Sequence, residues 1–175
     1  MSDGFGYFDE HGYVFEGFSF GFNGNDGSID FIPTRLVYPE LGNDPGNIVG
    51  LKVVLVSGSI RGEQVFGLPI PTISRLYSDL QRFPDNGDAL AFPSPNSFMF
   101  VPPYGFECIA AHPSWSEREW QIRCRLSNFE SANDPNSGRS ATLEVFFMLN
   151  VASIQVARRD LAAFLQYLSA IEKKQ

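Results

Sequence analysis

Apolar residues recur at helical spacing near the C-terminal end of the chain. They fall at i, i+3, i+4, i+7 and i+10, and comprise Leu161, Phe164, Leu165, Leu168 and Ile171. Asp160 precedes this stripe, and Lys173 and Lys174 follow it, which suits the positive N-terminus and the negative C-terminus of a helix. The pattern predicts an amphipathic helix over about 157–172.

A nearly continuous apolar run precedes this helix, from Leu143 to Leu149. The run is short and rich in aromatic and β-branched residues, which is typical of a strand covered on both faces. Polar Asn150 marks a change near its end. The segment Thr142–Glu172 is therefore expected to form a buried strand, a short connection and a helix.

The same order of elements occurs about half a chain earlier. An apolar strand is predicted over Leu51–Val56, and a helix over 72–83 with Thr72 as its N-cap and Pro84 after its end. The helix repeats the apolar spacing described above, at Ile73, Leu76, Tyr77, Leu80 and Phe83. An internal duplication would explain the repeat. The spacing common to all amphipathic helices would explain it equally, and both interpretations stay open.

The N-terminal part of the chain combines glycine with aromatic residues. Residues 1–12 are expected to be loosely ordered. From Tyr13 to Phe22, aromatic and small residues alternate, which indicates a strand with one aromatic face. The turn-forming residues Asn23–Gly27 follow. Residues 13–32 are therefore predicted to be a hairpin whose aromatic face is buried.

A second hairpin is predicted together with its register. If residues 104–112 pair antiparallel with 120–127, Cys108 lies opposite Cys124, and one face of the hairpin is almost entirely apolar. Both cysteines are then buried. We expect reduced thiols, because the sequence offers no secretory signal.

The remaining segments are mostly connections. Residues rich in Pro, Gly, Asn, Asp and Ser predict irregular structure at 39–47, 84–97 and 130–140. A short strand is expected over Phe98–Val101. Residues Val65–Leu68 are expected to pair back onto the strand that ends at Val56, before the first helix begins.

The composition agrees with these elements. The chain has 175 residues, which suits one domain over 1–175 with a sizeable core. It contains 17 Phe, 16 Gly and 12 Pro, so strands should outnumber helices. The prediction is an α+β fold, a mostly antiparallel sheet with the two amphipathic helices packed on it. The lack of a membrane-length apolar run and of a signal-like N-terminus favours the cytoplasm.

The negative charge is concentrated at one end of the sequence. Residues 1–50 contain eight acidic residues and one base, Arg35, which accounts for the whole net charge of −7. The rest of the chain is balanced. This asymmetry indicates an acidic face and argues against nucleic-acid binding there, because phosphates require Lys and Arg. Simple solubility is the alternative explanation.

Catalytic and metal-binding patterns are weak. The two histidines, His11 and His112, have no Ser or Cys beside them in a nucleophile context. Cys108, His112 and Cys124 lack paired-cysteine spacing and a fourth zinc ligand. No catalytic residue, metal ligand or cofactor site is therefore predicted.

Two further patterns that suggest binding sites have simpler explanations. Asn23–Asp30 contains several side-chain oxygens but lacks the ordered acids and terminal Glu of a calcium loop, so a hairpin turn is the better interpretation. The arginines and tryptophans of 115–125 are interleaved with Glu117 and Glu119. This favours a solvated strand face over a nucleic-acid interface.

In general character the chain resembles bacterial polymorphic-toxin immunity proteins, which are small, acidic, cytoplasmic and rich in strands. The resemblance rests on no shared motif. It implies a non-catalytic protein that binds and neutralises a toxin domain, and an acidic face suits a basic partner of this kind. The partner-binding residues predicted from the acidic segment are the turn and loop acids and two neighbouring aromatics: Asp26, Asp30, Glu40, Asp44, Tyr13 and Phe15.

Two other classes of function stay open. The first is a structural or assembly protein, for instance a phage or secretion-system component, whose Phe-rich strands serve self-association. The second is an enzyme without a recognisable motif, which a deep pocket with converging ionisable groups would favour. The sequence does not determine the oligomeric state.

Overall fold

The computed structural model describes residues 6–37, 47–83, 89–92, 106–111, 119–128 and 141–173. These residues form two antiparallel sheets and two helices, which confirms the predicted α+β class. The elements in chain order are β1 Gly6–Asp9, β2 Gly12–Phe15, β3 Phe20–Asn23, β4 Gly27–Val37, β5 Ile48–Ser57, β6 Ile60–Pro69, α1 Ile70–Arg82, β7 Ala89–Phe92, β8 Phe106–Ala111, β9 Glu119–Asn128, β10 Ala141–Asn150 and α2 Val151–Glu172.

The first sheet contains β1 to β6 in the order β1-β2-β4-β5-β6, and β3 pairs with the same side of β4 as β2 does. Tyr13 lies opposite Leu36, whereas Phe20 lies opposite Phe31. The single strand predicted over 13–22 is therefore wrong. The chain breaks there because Gly17 has a φ of 75°, a conformation that suits glycine. The turn after Asn23 and the pairing of β3 with β4 are confirmed.

Residues 6–12 also differ from the prediction. We expected them to be loosely ordered, but they form β1 and a tight turn into β2, with Asp9 opposite Gly12. Gly12 has a φ of 134°, and a side chain there would collide with the Leu36 carbonyl. Glycine thus allows this hairpin to approach β4 closely.

The centre of the first sheet is the meander β4-β5-β6, which contains the strand and the return predicted from the sequence. One face of β5 is completely buried, with Val49, Leu51, Val53 and Leu55 all at 0% exposure. The turn between β5 and β6 includes Gly58 with a φ of 57°. A glycine with positive φ is typical of the two-residue turns that close β-hairpins.

The second sheet has the order β10-β9-β8-β7. Cys108 pairs with Cys124 as predicted, and both are buried, free cysteines. Residues 89–92, expected to lie in an irregular connection, instead form β7 on the edge of this sheet. Most of the other predicted connections, and the strand expected over 98–101, lie outside the described residues.

The two sheets pack face to face. The rings of Phe31 and Phe92 are 5.6 Å apart, and Phe147 of β10 lies against Gly24 and Gly27. Only one face of β10 is buried, so our prediction of a strand covered on both faces is wrong. Phe147 points inwards, whereas Phe146 is 52% exposed. The outer face of the second sheet carries no further layer among the described elements.

Both helices begin earlier than predicted. The helix α1 starts at Ile70, so Thr72 lies inside it and is not the N-cap. The helix α2 follows β10 without a connection, because Asn150 caps it by accepting a hydrogen bond of 2.9 Å from the Ser153 N–H. Asp160 is therefore in mid-helix. The β-branched residues of 151–156 look strand-like, but the N-cap fixes the helix start.

The helices cover the part of the first sheet that the second sheet leaves open. Phe164 of α2 stacks on Phe20 at 5.6 Å. Arg158 of α2 ties the two helices together, since its Nε donates to the Leu80 carbonyl at 2.8 Å and its Nη2 donates to the Phe83 carbonyl. A cation at the C-terminus of α1 also matches the helix dipole.

Each half of the chain ends in a ten-residue strand that runs directly into a helix, β6 into α1 and β10 into α2. The helices differ in length, with 13 and 22 residues. The internal duplication stays a prediction. Neither helix, within the described part of the chain, combines the length and apolarity needed to cross a membrane.

Candidate functional site

The two aromatic residues predicted to contact a partner belong to the core. Tyr13 is 6% exposed and Phe15 is 5% exposed. Phe15 packs edge-on against Phe164, with ring centroids 5.4 Å apart. The hydroxyls of Tyr13 and Tyr167 share a hydrogen bond, and burial together with this bond raises the pKa of Tyr13 well above its usual range. The apolar contact predicted for these residues depended on an exposed strand, and the structure buries both side chains.

The predicted acids occupy different environments. Asp26 is exposed in the turn between β3 and β4. Asp30 is partly buried on the outer face of β4, where burial raises its pKa although the Ser28 hydroxyl donates to it at 3.4 Å. Glu40 and Asp44 lie outside the described residues. Their role in partner binding stays a prediction.

The described acids do not gather on one face. Asp26 precedes the first residue of β4, whereas Asp9 and Glu10 lie beside its last residues, through the pairing of β2 with β4. The 11 residues of β4 extend for about 33 Å at ~3.3 Å per residue. Asp26 therefore lies at one end of the first sheet, and Asp9 and Glu10 lie at the other.

A polar groove, here called the turn groove, lies at the Asp26 end. Its volume is about 750 Å³, and two turns that are distant in sequence line it, residues 23–28 and residues 56–60. Asp26 supplies the ionisable side chain of this described lining, and the other polar groups are the amides of Asn23 and Asn25 and the hydroxyls of Ser28, Ser57 and Ser59. Such a lining can bind a polar or cationic group through oxygen acceptors.

A second candidate surface, here called the hairpin corner, consists of Tyr7, Phe8, Glu10 and Glu16 around β1 and β2. Tyr7 is 54% exposed and Phe8 is 50% exposed. The Phe8 ring meets Tyr13 edge-on at 4.8 Å, so it extends the aromatic core to the surface. Glu10 and Glu16 lie at the two ends of β2 and are exposed.

Electrostatics leave the hairpin corner acidic. Arg35 is the one base of the first 50 residues, and its guanidinium lies 2.6 Å from Asp9. That hydrogen bond lowers the pKa of Asp9. Asp9 thereby neutralises Arg35. Glu10 lies 3.2 Å from the exposed His11 imidazole.

Sequence analysis missed Tyr7 and Phe8 because residues 1–12 were expected to be loosely ordered. A signal was available, since Gly6 and Gly12 flank a short aromatic segment as the glycines of a hairpin would. Exposure itself is not readable from this pattern. It follows from the position of β1 at the end of the strand order.

The metal-like and basic-aromatic patterns of the sequence lie partly within the described residues. In the described part of the chain, no three His, Cys, Asp or Glu side chains are grouped so as to hold a metal ion. Trp120 is 3% exposed, whereas Arg123 and Arg125 are exposed on the opposite face of β9. They therefore form no joint basic-aromatic surface. Arg123 instead faces Glu144 at 3.6 Å.

Comparisons of this chain with protein-family models, with curated proteins and with solved structures find no match.

Proposed function

We propose that this protein is a non-catalytic binding domain that neutralises a basic protein partner, as an immunity protein neutralises a toxin domain. The exposed rings and acids of the hairpin corner support this proposal. Phe8 and Tyr7 are both about half exposed, on opposite faces of the hairpin, and the exposed acids Glu10 and Glu16 flank its second strand. Protein interfaces are enriched in aromatic residues relative to the rest of the surface.

Charge complements this apolar contact. Acidic side chains around the rings would attract a basic partner over about 10 Å at moderate salt and orient it before contact. The rings would then supply the binding free energy as they lose water. Such a partner would be met in the cytoplasm, where Cys108 and Cys124 stay reduced.

The test is a pull-down from the native host at low and at high salt, with the captured proteins identified. We expect a basic protein, retained more weakly at high salt. The double variant Glu10→Lys/Glu16→Lys should slow its association and flatten the salt dependence. Phe8→Ala should weaken binding by about tenfold or more, since a buried aromatic anchor contributes at least ~1.4 kcal/mol.

Matched controls separate these effects from general ones. Phe146→Ala removes a ring that is 52% exposed on the second sheet, and Glu119→Lys reverses an exposed acid there. Both should leave capture unchanged. Thermal unfolding of every variant checks the fold. Co-expression with the captured partner then tests neutralisation directly. Capture of no protein under either salt condition would contradict the proposal.

Self-association is a second candidate, favoured by exposed apolar residues on β6. Ile60 is 54% exposed and Val65 is 64% exposed, and β6 stands at the end of the described strand order. Edge strands of this kind pair readily with another chain. Size-exclusion chromatography would then give a homo-oligomer, and Val65→Lys should convert it to a monomer. A monomeric wild-type protein would exclude this candidate.

A further inference from the structure

We infer that the turn groove is a binding site for an arginine side chain of a protein or peptide. The groove joins residues 23–28 of the β3–β4 turn to residues 56–60 of the β5–β6 turn, and Gly27 pairs with Ser57 between them. The inference goes beyond the proposed function, because it concerns the opposite end of β4 from the hairpin corner. It names the chemical group recognised there.

The lining suits a guanidinium group. Asp26 is exposed and can accept two parallel N–H bonds from an arginine, the strongest geometry available to a carboxylate. An arginine has five N–H donors in one plane. Asn25, Ser57 and Ser59 also line the groove, and their side chains carry oxygens that can accept the remaining donors.

The groove also has an apolar wall for the stem of the arginine. Val56 and Ile60 belong to its lining, and Ile60 is 54% exposed. Long cationic side chains pack their methylene groups against such residues while the charged head stays hydrated.

Other ligand classes fit less well. An anion would need a base, and none occurs among the described lining residues; the adjacent Arg61 is held by Glu63 at 3.4 Å. A calcium ion prefers several carboxylates, but Asp26 is the one acid in this described lining.

The groove is pre-organised, because contacts within the protein fix its turns. The Gly24 N–H donates to the Gly27 carbonyl at 2.8 Å, which closes the first turn. The same Gly24 packs against the Met148 carbonyl of β10, so the turn rests on the second sheet. A pre-organised site loses less conformational entropy when it binds.

The experiment is a titration of isotope-labelled protein, followed by NMR amide shifts, with the peptide acetyl-Gly-Arg-Gly-amide at moderate salt. We expect saturable shifts confined to residues 23–28 and 56–60. The citrulline analogue, which is similar in shape but uncharged, should bind about tenfold more weakly, and Asp26→Asn should weaken the arginine peptide by about the same factor. The lysine analogue should fall between the two peptides.

The control is Glu16→Gln, which removes an exposed acid at the hairpin corner and should leave the titration unchanged. Equal affinity for the arginine and citrulline peptides, or shifts at the hairpin corner in place of the groove, would overturn the inference. Equal affinity for the two peptides leaves the pull-down proposal untouched, and shifts at the hairpin corner would agree with it. The two proposals can therefore fail independently.

Discussion

Tyr13 and Tyr167 connect β2 to α2 by a hydroxyl–hydroxyl hydrogen bond inside an aromatic cluster. The cluster accounts for part of the high phenylalanine content, because Phe15 and Phe20 both pack against Phe164 there. The polar atoms of the two tyrosines are satisfied by each other. Burial of a neutral hydroxyl pair is inexpensive, but an ionised Tyr13 would lose both hydration and this donor.

The first prediction follows from the raised pKa of Tyr13. The folded protein keeps Tyr13 protonated at pH values where an unfolded tyrosine, with a pKa of about 10, ionises. This contribution to stability is complete below about pH 10 and is lost as the pH rises towards the folded pKa. We therefore expect the free energy of unfolding to fall above about pH 10. Tyr13→Phe should reduce that slope and cost about 1 kcal/mol at pH 7.

Tyr77→Phe is the control for this measurement. The Tyr77 hydroxyl accepts a hydrogen bond from Gln81 at the surface, at 2.9 Å. The chemical change is identical, yet we expect the alkaline slope and the stability at pH 7 to stay close to wild type. Urea unfolding at several pH values supplies both quantities. An unchanged slope in Tyr13→Phe would contradict the assignment to Tyr13.

At the scale of elements, the junction between β10 and α2 is sharp because of one residue. Asn150 ends the strand ladder opposite Glu119 and caps the helix through Ser153. Its side chain also accepts from the Ser153 hydroxyl at 3.1 Å. A strand can therefore turn into a helix without any intervening loop.

The second prediction concerns this cap. Asn150→Ala leaves the Ser153 N–H without its acceptor and should lower the free energy of unfolding by about 1 kcal/mol. Thr72→Ala provides the comparison. Thr72 is the residue that the sequence favours as a cap of α1, but it lies inside that helix. Its replacement should change stability by no more than about 0.5 kcal/mol. Denaturant unfolding of both variants measures the difference, and equal losses would contradict it.

At the scale of the whole molecule, the close contact between the two sheets depends on glycines as well as on large side chains. A Cβ at Gly24 would lie 2.3 Å from the Met148 carbonyl oxygen, and one at Gly62 would lie 2.5 Å from the Leu143 side chain. The first contact involves backbone, which cannot move aside alone. Close approach of the sheets therefore depends on the missing side chain at Gly24.

The third prediction tests this contact. Gly24→Ala should lower the free energy of unfolding by about 1–3 kcal/mol, as overpacking does in a fixed core. Gly67→Ala is the control, because Gly67 is exposed and its Cβ would meet a side-chain methyl, Cγ2 of Ile48, at 3.0 Å, and no backbone atom of the described residues within 4 Å. Thermal or urea unfolding of both variants measures the change in the free energy of unfolding. A neutral Gly24→Ala would mean that the turn can move away from β10.

The local patterns of the sequence were sufficient for several features. The alternation of apolar residues gave the Cys108–Cys124 register, because a shift of one residue would turn the whole apolar set to the outside. The strand before Gly58 and the existence of both helices also follow from periodicity. Each of these features depends on neighbours close in the chain or directly across a hairpin.

Burial and the surface sites were decided by the tertiary structure. Phe8 and Phe15 lie in similar aromatic stretches, but Phe15 meets α2 from the far end of the chain and Phe8 stays half exposed at the end of the sheet. The turn groove joins residues 23–28 to 56–60, which share no pattern in the sequence. Among the described acids of the first 50 residues, Asp26 lies at one end of β4, and Asp9 and Glu10 lie at the other. Exposure depends on which distant elements arrive to cover a face, and periodicity along the chain carries no information about them.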